Sequence, residues 1–181
     1  MALTKLNNAA ISSITNAGLP ALDHTNMPAG TIIQVKRNVG STEYPNTSNN
    51  TYVTIADITT SITPKAANSI LFFQMSGLCF TTGMSGGQTG TEFILEDTTN
   101  SVEKEKYRGV NFTNNNGSSY QTQSMQQFCF NFSESASNTN ARTYALKFRI
   151  EPTFDNCSSI IIGWPDNNTG PQSMVIYEIA Q

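Results

Sequence analysis

Tyr144-Ala145-Leu146-Lys147-Phe148-Arg149-Ile150 is the stretch that decides the fold. Its even positions are apolar, and Lys147 and Arg149 fall between them. That period of two buries one face of an extended strand and leaves the other to solvent. The same period recurs in Phe128-Cys129-Phe130-Asn131-Phe132, where the three phenylalanines share a face. Ile70-Leu71-Phe72-Phe73 and Ile160-Ile161-Ile162 are apolar at successive positions. Such runs belong to central strands, or to strands whose second face meets another subunit.

Outward from these runs, the chain from Thr31 reads as strand after strand, separated by clusters of Gly, Asn, Ser, Thr and Pro. The candidate strands are 31–38, 51–58, 69–81, 91–96, 105–112, 122–132, 142–151, 158–164 and 173–180, about nine in all. The expected fold is all-β: an antiparallel β-sandwich, jelly-roll-like, with its long strands in the middle of the sheets. Cys79 and Cys129 lie inside apolar or alternating runs and are expected in the core, where a thiol behaves as a small hydrophobe. Glu103-Lys104-Glu105-Lys106, the densest charge cluster, reads as a solvated strand end or a protected edge.

Two domains of unequal kind follow: residues 1–30, an N-terminal arm, and residues 31–181, the sandwich. In the arm Leu3, Leu6, Ile11, Ile14 and Leu19 are spaced irregularly, and Asn7-Asn8, Gly18, Pro20 and Pro28 interrupt any longer helix. The segment cannot fold alone, so it is expected to serve assembly and anchoring by burying those side chains on neighbouring polypeptide. Each is worth on the order of 1.5 to 3 kcal/mol when buried.

The chain has 181 residues, 10 Lys+Arg against 13 Asp+Glu, and a net charge of -3. Charged residues make up 13% of it, half the ~25% of ordinary soluble domains, while Ser, Thr, Asn and Gln supply roughly 40%. A shell of hydroxyls and amides with no Lys/Arg cluster is a poor match for phosphate backbones, which excludes nucleic acid as an expected partner. No run approaches the ~18 apolar residues of a membrane span, so no membrane insertion is expected, and the first residues lack the apolar core of a signal peptide.

The search for reaction chemistry returns little. The one histidine, His24, lies in the arm beside Asp23, and no GxSxG elbow accompanies it. Glu92, Glu96, Asp97, Glu103, Glu105, Glu134, Glu151, Asp155 and Asp166 form the pool from which a glycosidase pair would be drawn. A single tryptophan gives little aromatic wall for a sugar cleft. Three cysteines without a CxxC pair do not read as a zinc or redox site, and Asp166-Asn167-Asn168 lacks the later acidic ligands of a calcium loop. The expectation is a non-enzymatic chain with no catalytic residues, no cofactor and no metal. Binding candidates remain. Trp164 opens the 165–171 loop, which carries Asn167, and Tyr107 and Tyr120 flank the Asn-rich loop. These are possible receptor-binding residues, for which a host surface glycan is the candidate ligand.

The opening Met1-Ala2-Leu3-Thr4-Lys5-Leu6-Asn7-Asn8, followed by Leu19-Pro20 and Met27-Pro28-Ala29-Gly30-Thr31-Ile32-Ile33-Gln34-Val35, resembles the start of small tail-fibre-like virion proteins of aquatic, cyanophage-type tailed bacteriophages. Ile62-Thr63-Pro64-Lys65-Ala66-Ala67-Asn68-Ser69-Ile70-Leu71 and the terminal Val175-Ile176-Tyr177-Glu178-Ile179-Ala180 are similar to that family's central and closing motifs. The stretch of roughly 82–142 carries no such likeness. The resemblance implies a virion protein: a homotrimeric β-sandwich attached through its arm to other proteins of the tail or capsid. A tail fibre, spike or receptor-binding component is the first expectation, a capsid decoration (cement or head-fibre) protein the alternative, and a carbohydrate-binding module a further one.

Overall fold

The computed structural model describes residues 27–83, 88–112, 122–153, 157–163 and 171–181. Eleven strands are described: β1 Ile32–Gly40, β2 Tyr44–Asn46, β3 Val53–Thr54, β4 Thr60–Ile62, β5 Ile70–Gly83, β6 Gln88–Asp97, β7 Val102–Phe112, β8 Thr122–Ser135, β9 Arg142–Ile150, β10 Cys157–Ile162 and β11 Gln172–Ile179. They form two antiparallel sheets packed face to face.

In the front sheet β5 is central. Its whole length pairs with β8 on one side; on the other, β11 pairs with Ile70–Ser76 and β10 with Cys79–Gly83. β1 continues the sheet beyond β11, and β2 beyond β10. In the back sheet β9 lies between β6 and a row made of β3 and β4, and β7 pairs with the far side of β6. When β1/β2, β3/β4 and β10/β11 are each taken as one interrupted strand, eight rows result. Their order is 1-8-3-6 in the front sheet against 2-7-4-5 in the back, the jelly-roll arrangement of two Greek keys.

The alternation read from the sequence explains which side chains meet between the sheets. Leu71, Phe73 and Met75 of β5, Met174 and Ile176 of β11, and Ile160 and Ile162 of β10 face Phe93 and Leu95 of β6 and Tyr144, Leu146 and Phe148 of β9. Aromatic edges interlock there: Phe73 meets Tyr144 at 4.7 Å and Phe93 meets Phe128 at 4.8 Å. Gly77 of β5 is needed for this packing, since a Cβ there would stand 2.6 Å from the Phe128 ring.

Three expectations are corrected, and two short strands are added. The 51–58 strand is only the two residues of β3 followed by a 3-10 turn, Ala56–Ile58. A turn with three residues per repeat brings Ile55 and Ile58 to the same side, and both are fully buried. Strands β2 and β4 are three residues each, too short to show a period. β8, although 14 residues long, is an edge strand of the front sheet. Cys79 is buried as expected, but Cys129 is exposed: with Phe128, Phe130 and Phe132 turned toward the core, the residue between them must face out.

Backbone bonds close the sheet where β1 begins. Gly30 N donates to Ala180 O at 2.8 Å and Ala180 N to Thr31 O at 2.9 Å, tying the entry of β1 to the exit of β11.

Candidate functional site

The two outer faces of the sandwich differ in kind. On the back sheet the registers place Arg149, Glu92 and Arg108 in one row across β9, β6 and β7, and Lys147, Ile94 and Lys106 in the next. Glu92 has no exposed side-chain surface. Arg149 reaches it with Nη2 at 2.6 Å and Nε at 2.8 Å, Arg108 Nε donates from 3.2 Å, and the Tyr52 hydroxyl donates to it as well. The Arg149 guanidinium lies 4.5 Å over the Tyr52 ring, so the tyrosine both stacks on the cation and bonds the anion. Burial pushes the Glu92 carboxyl upward. The bonds from Tyr52 and Arg149, with the charges of Arg149 and Lys106, outweigh it and hold the group below its ordinary value. Tyr52 is driven the other way, by burial and by the carboxylate it bonds.

Arg108 also approaches the buried Glu151 at 3.4 Å, and Lys147 pairs with Glu96 at 2.7 Å. Four cations on this face thus find four carboxylates, Glu92, Glu96, Glu103 and Glu151. Two acids of the pool considered for glycoside cleavage, Glu92 and Glu151, are brought together here. Arg108 lies between them and binds both. Arg108 ties the two carboxylates into the ion pairs that hold the back sheet.

The front sheet presents the opposite surface. Its outer rows run across β1, β11, β5 and β8 as Val35, Tyr177, Phe72 and Ser133, then Arg37, Val175, Gln74 and Asn131, then Val39, Ser173, Ser76 and Cys129. Toward the other end, Pro45, Ile161, Phe80 and Met125 share a row across β2, β10, β5 and β8. Val35 is 51% exposed and Met125 54%. The Phe72 and Tyr177 rings lie 6.2 Å apart on the outside of the sandwich. Arg37 is the one charged side chain that these described rows bring to the face.

Between the free edges of β7 and β8, where the sheets part, lies a cavity of about 220 Å³ whose wall includes Cys79, Thr91, Phe93, Gly109, Phe128 and Phe130. It is smaller than the ~300 Å³ from which small-molecule sites usually start, and its walls carry no carboxylate or imidazole. Among the described residues, no group of three or more His, Cys, Asp or Glu could hold a metal ion.

Of the binding candidates, Tyr107 is described. Its ring stacks on Phe130 at 4.3 Å and its hydroxyl donates to the Asn131 carbonyl at 3.0 Å, so it fastens β7 to β8 across the gap between the sheets. Lys104 and Glu134, 2.8 Å apart, fasten the same two strands farther along. Trp164, Asn167 and Tyr120 lie outside the described residues, as do Leu3, Leu6, Ile11, Ile14, Leu19 and His24. The sequence offered Ile70–Phe73 and Ile160–Ile162 as central strands or strands whose second face meets another subunit, but did not show that β1, β11 and β8 extend the same face. Its signal was present in Phe72, Phe80 and Tyr177, at the positions of alternating strands where polar residues are usual.

No family model matches the chain, and no curated protein matches it. Among solved structures, two of infectious bursal disease virus, the Gt and Gx strains, align over 82% of this chain. Identity is 16% and 12%, and the TM-scores are 0.34 and 0.29. The aligned part is 38% and 37% of those chains, so this chain spans little more than a third of their length. Likeness of that degree carries no argument about function.

Proposed function

We propose that the chain is a non-enzymatic structural protein of a bacteriophage virion, a homotrimer anchored through residues 1–30 to other virion proteins, acting as a tail fibre, spike or receptor-binding component. The observation that carries the reading is the asymmetry of the jelly roll. One outer face pairs its charges internally, and the other carries a single charge in its described rows, Arg37, and is studded with half-exposed apolar side chains. A part made for assembly needs such a division: one surface that stays in water and one that another polypeptide can cover. The phage attribution is supported by the motifs at Met1–Asn8, Met27–Val35, Ile62–Leu71 and Val175–Ala180.

Deletion of residues 1–30 tests it. The shortened protein should remain folded yet be missing from assembled particles; normal incorporation rejects the reading. Copy number separates the tail role from capsid decoration, because a decoration protein coats the head in many copies and raises its resistance to heat.

A further inference from the structure

We infer that the outer face of the front sheet is the surface on which a second copy of this chain packs. The inference rests on the assembly reading above and names the surface that assembly requires.

Three observations carry it. The first is chemical: the middle of the face is built from Phe72, Tyr177, Val175, Phe80 and Ile161, while β8 lines one side with Ser133, Asn131 and Gln127 alongside Cys129 and Met125. An apolar centre beside a polar rim is the anatomy of a contact between proteins. The second is electrostatic. A surface shared by copies of one chain brings its charges near their own kind, so it must be close to neutral, and a like-charge juxtaposition costs several kcal/mol. The described rows hold a single charge, Arg37, on β1 at the side of the sheet, where a guanidinium reaches a wet rim. The back face has its four cations already paired with four carboxylates, and the Glu151 Oε2 that lacks a hydrogen bond there is buried.

The third is size. Four strand rows at ~4.8 Å spacing and a 14-residue β5 at ~3.3 Å per residue give a footprint on the order of 900 Å². A stable contact of standard size needs about 800 Å² from each partner. A surface with one positive charge in its described rows gives nucleic acid or an anionic membrane little to hold.

The test uses the full chain and two substitutions at side chains already about half exposed, Val35→Glu and Met125→Glu, with Val102→Glu on the back sheet (45% exposed) as control. Mass by light scattering across a dilution series gives the oligomeric state, and alkylation of Cys129 reports whether the face is covered. The parent and Val102→Glu should be oligomers with a slowly alkylated Cys129. Val35→Glu and Met125→Glu should each raise the apparent dissociation constant at least about tenfold and free the thiol, with a cooperative melt retained. Oligomers that survive both substitutions overturn this inference and leave the assembly reading standing. A parent that is monomeric with Cys129 freely alkylated overturns both. A monomer in which Cys129 is protected also overturns the inference, and gives the face to the chain's own N-terminal segment.

Discussion

Arg149 and Glu92 face each other across β9 and β6 with 2.6 Å between Nη2 and Oε1, and the carboxylate is wholly hidden beneath the cations that bind it. Removing Arg149 takes two bonds from the hidden carboxylate and leaves it to Arg108, Lys106 and Tyr52, and removing Glu92 strands the cations gathered on it; breaking a buried pair costs up to about 3–5 kcal/mol. Arg149→Ala and Glu92→Ala should each lower stability by that order in urea unfolding. Arg149→Lys should fall short of rescue, because an ammonium cannot reproduce the fork that reaches Glu92 through both Nε and Nη2 or stack flat on Tyr52. Wild-type stability in Arg149→Ala is the outcome that discards this account of the back face.

The same carboxylate sets a pH dependence. Its folded value is depressed, so its contribution is complete above the ordinary carboxylate range and is lost as the pH falls through the folded value. Asp57 adds to the effect in the same direction: hydrogen bonds from the Thr42 side chain and backbone N–H lower it against the opposing pull of burial. The melting temperature should therefore be flat near neutrality and drop in acid. In Glu92→Gln the protein should be weaker at pH 7 and its acid decline shallower; an unchanged decline contradicts the assignment.

Gly77→Ala should destabilise the sandwich by about 1–3 kcal/mol, since the added carbon meets the Phe128 ring at 2.6 Å and the ring is held by Phe93 and Phe130. Gly109→Ala, whose new carbon would stand no nearer than 3.8 Å to the Thr91 carbonyl, should be close to neutral. Thermal melts of the two variants side by side decide it.

Tyr107→Phe removes one bond to the Asn131 carbonyl and should cost about 1 kcal/mol. Tyr107→Ala also loses the stack on Phe130 and should cost more. Hydrogen exchange should show the loss concentrated in β7 and β8. Equal costs for the two variants place the whole effect in the hydroxyl.

Cys79 should react with thiol reagents only on global unfolding. It is buried beneath Thr91, and burial pushes the thiol up to about 12, so almost no thiolate forms at neutral pH. Labelling in native buffer at a rate independent of added denaturant contradicts that placement.

The fold was largely legible in Tyr144–Ile150, Phe128–Phe132 and Ile70–Phe73, because a strand buried on one face must alternate and one buried on two need not. Residues 51–58 misled for a physical reason: Ile55 and Ile58, three apart, suit a strand poorly and a 3-10 turn well, yet the surrounding Val53 and Thr54 do pair as a strand. Cys129 misled because an apolar neighbourhood in sequence is not one in space; between inward-facing Phe128 and Phe130 it had to point outward.

The sequence by itself therefore determined an all-β sandwich poor in charge, since alternation, turn residues and composition are local properties that a linear string carries whole. Only the tertiary structure decided that Glu92, Arg108, Arg149 and Glu151 form one cluster, that Tyr107 bolts β7 to β8, and that the apolar outward residues of β1, β11, β5 and β10 merge into one face poor in charge. Those relations follow from strand order and register. Pairing β5 with β8, β10 and β11 joins residues up to about a hundred positions apart, and no local pattern encodes which distant strand lies alongside.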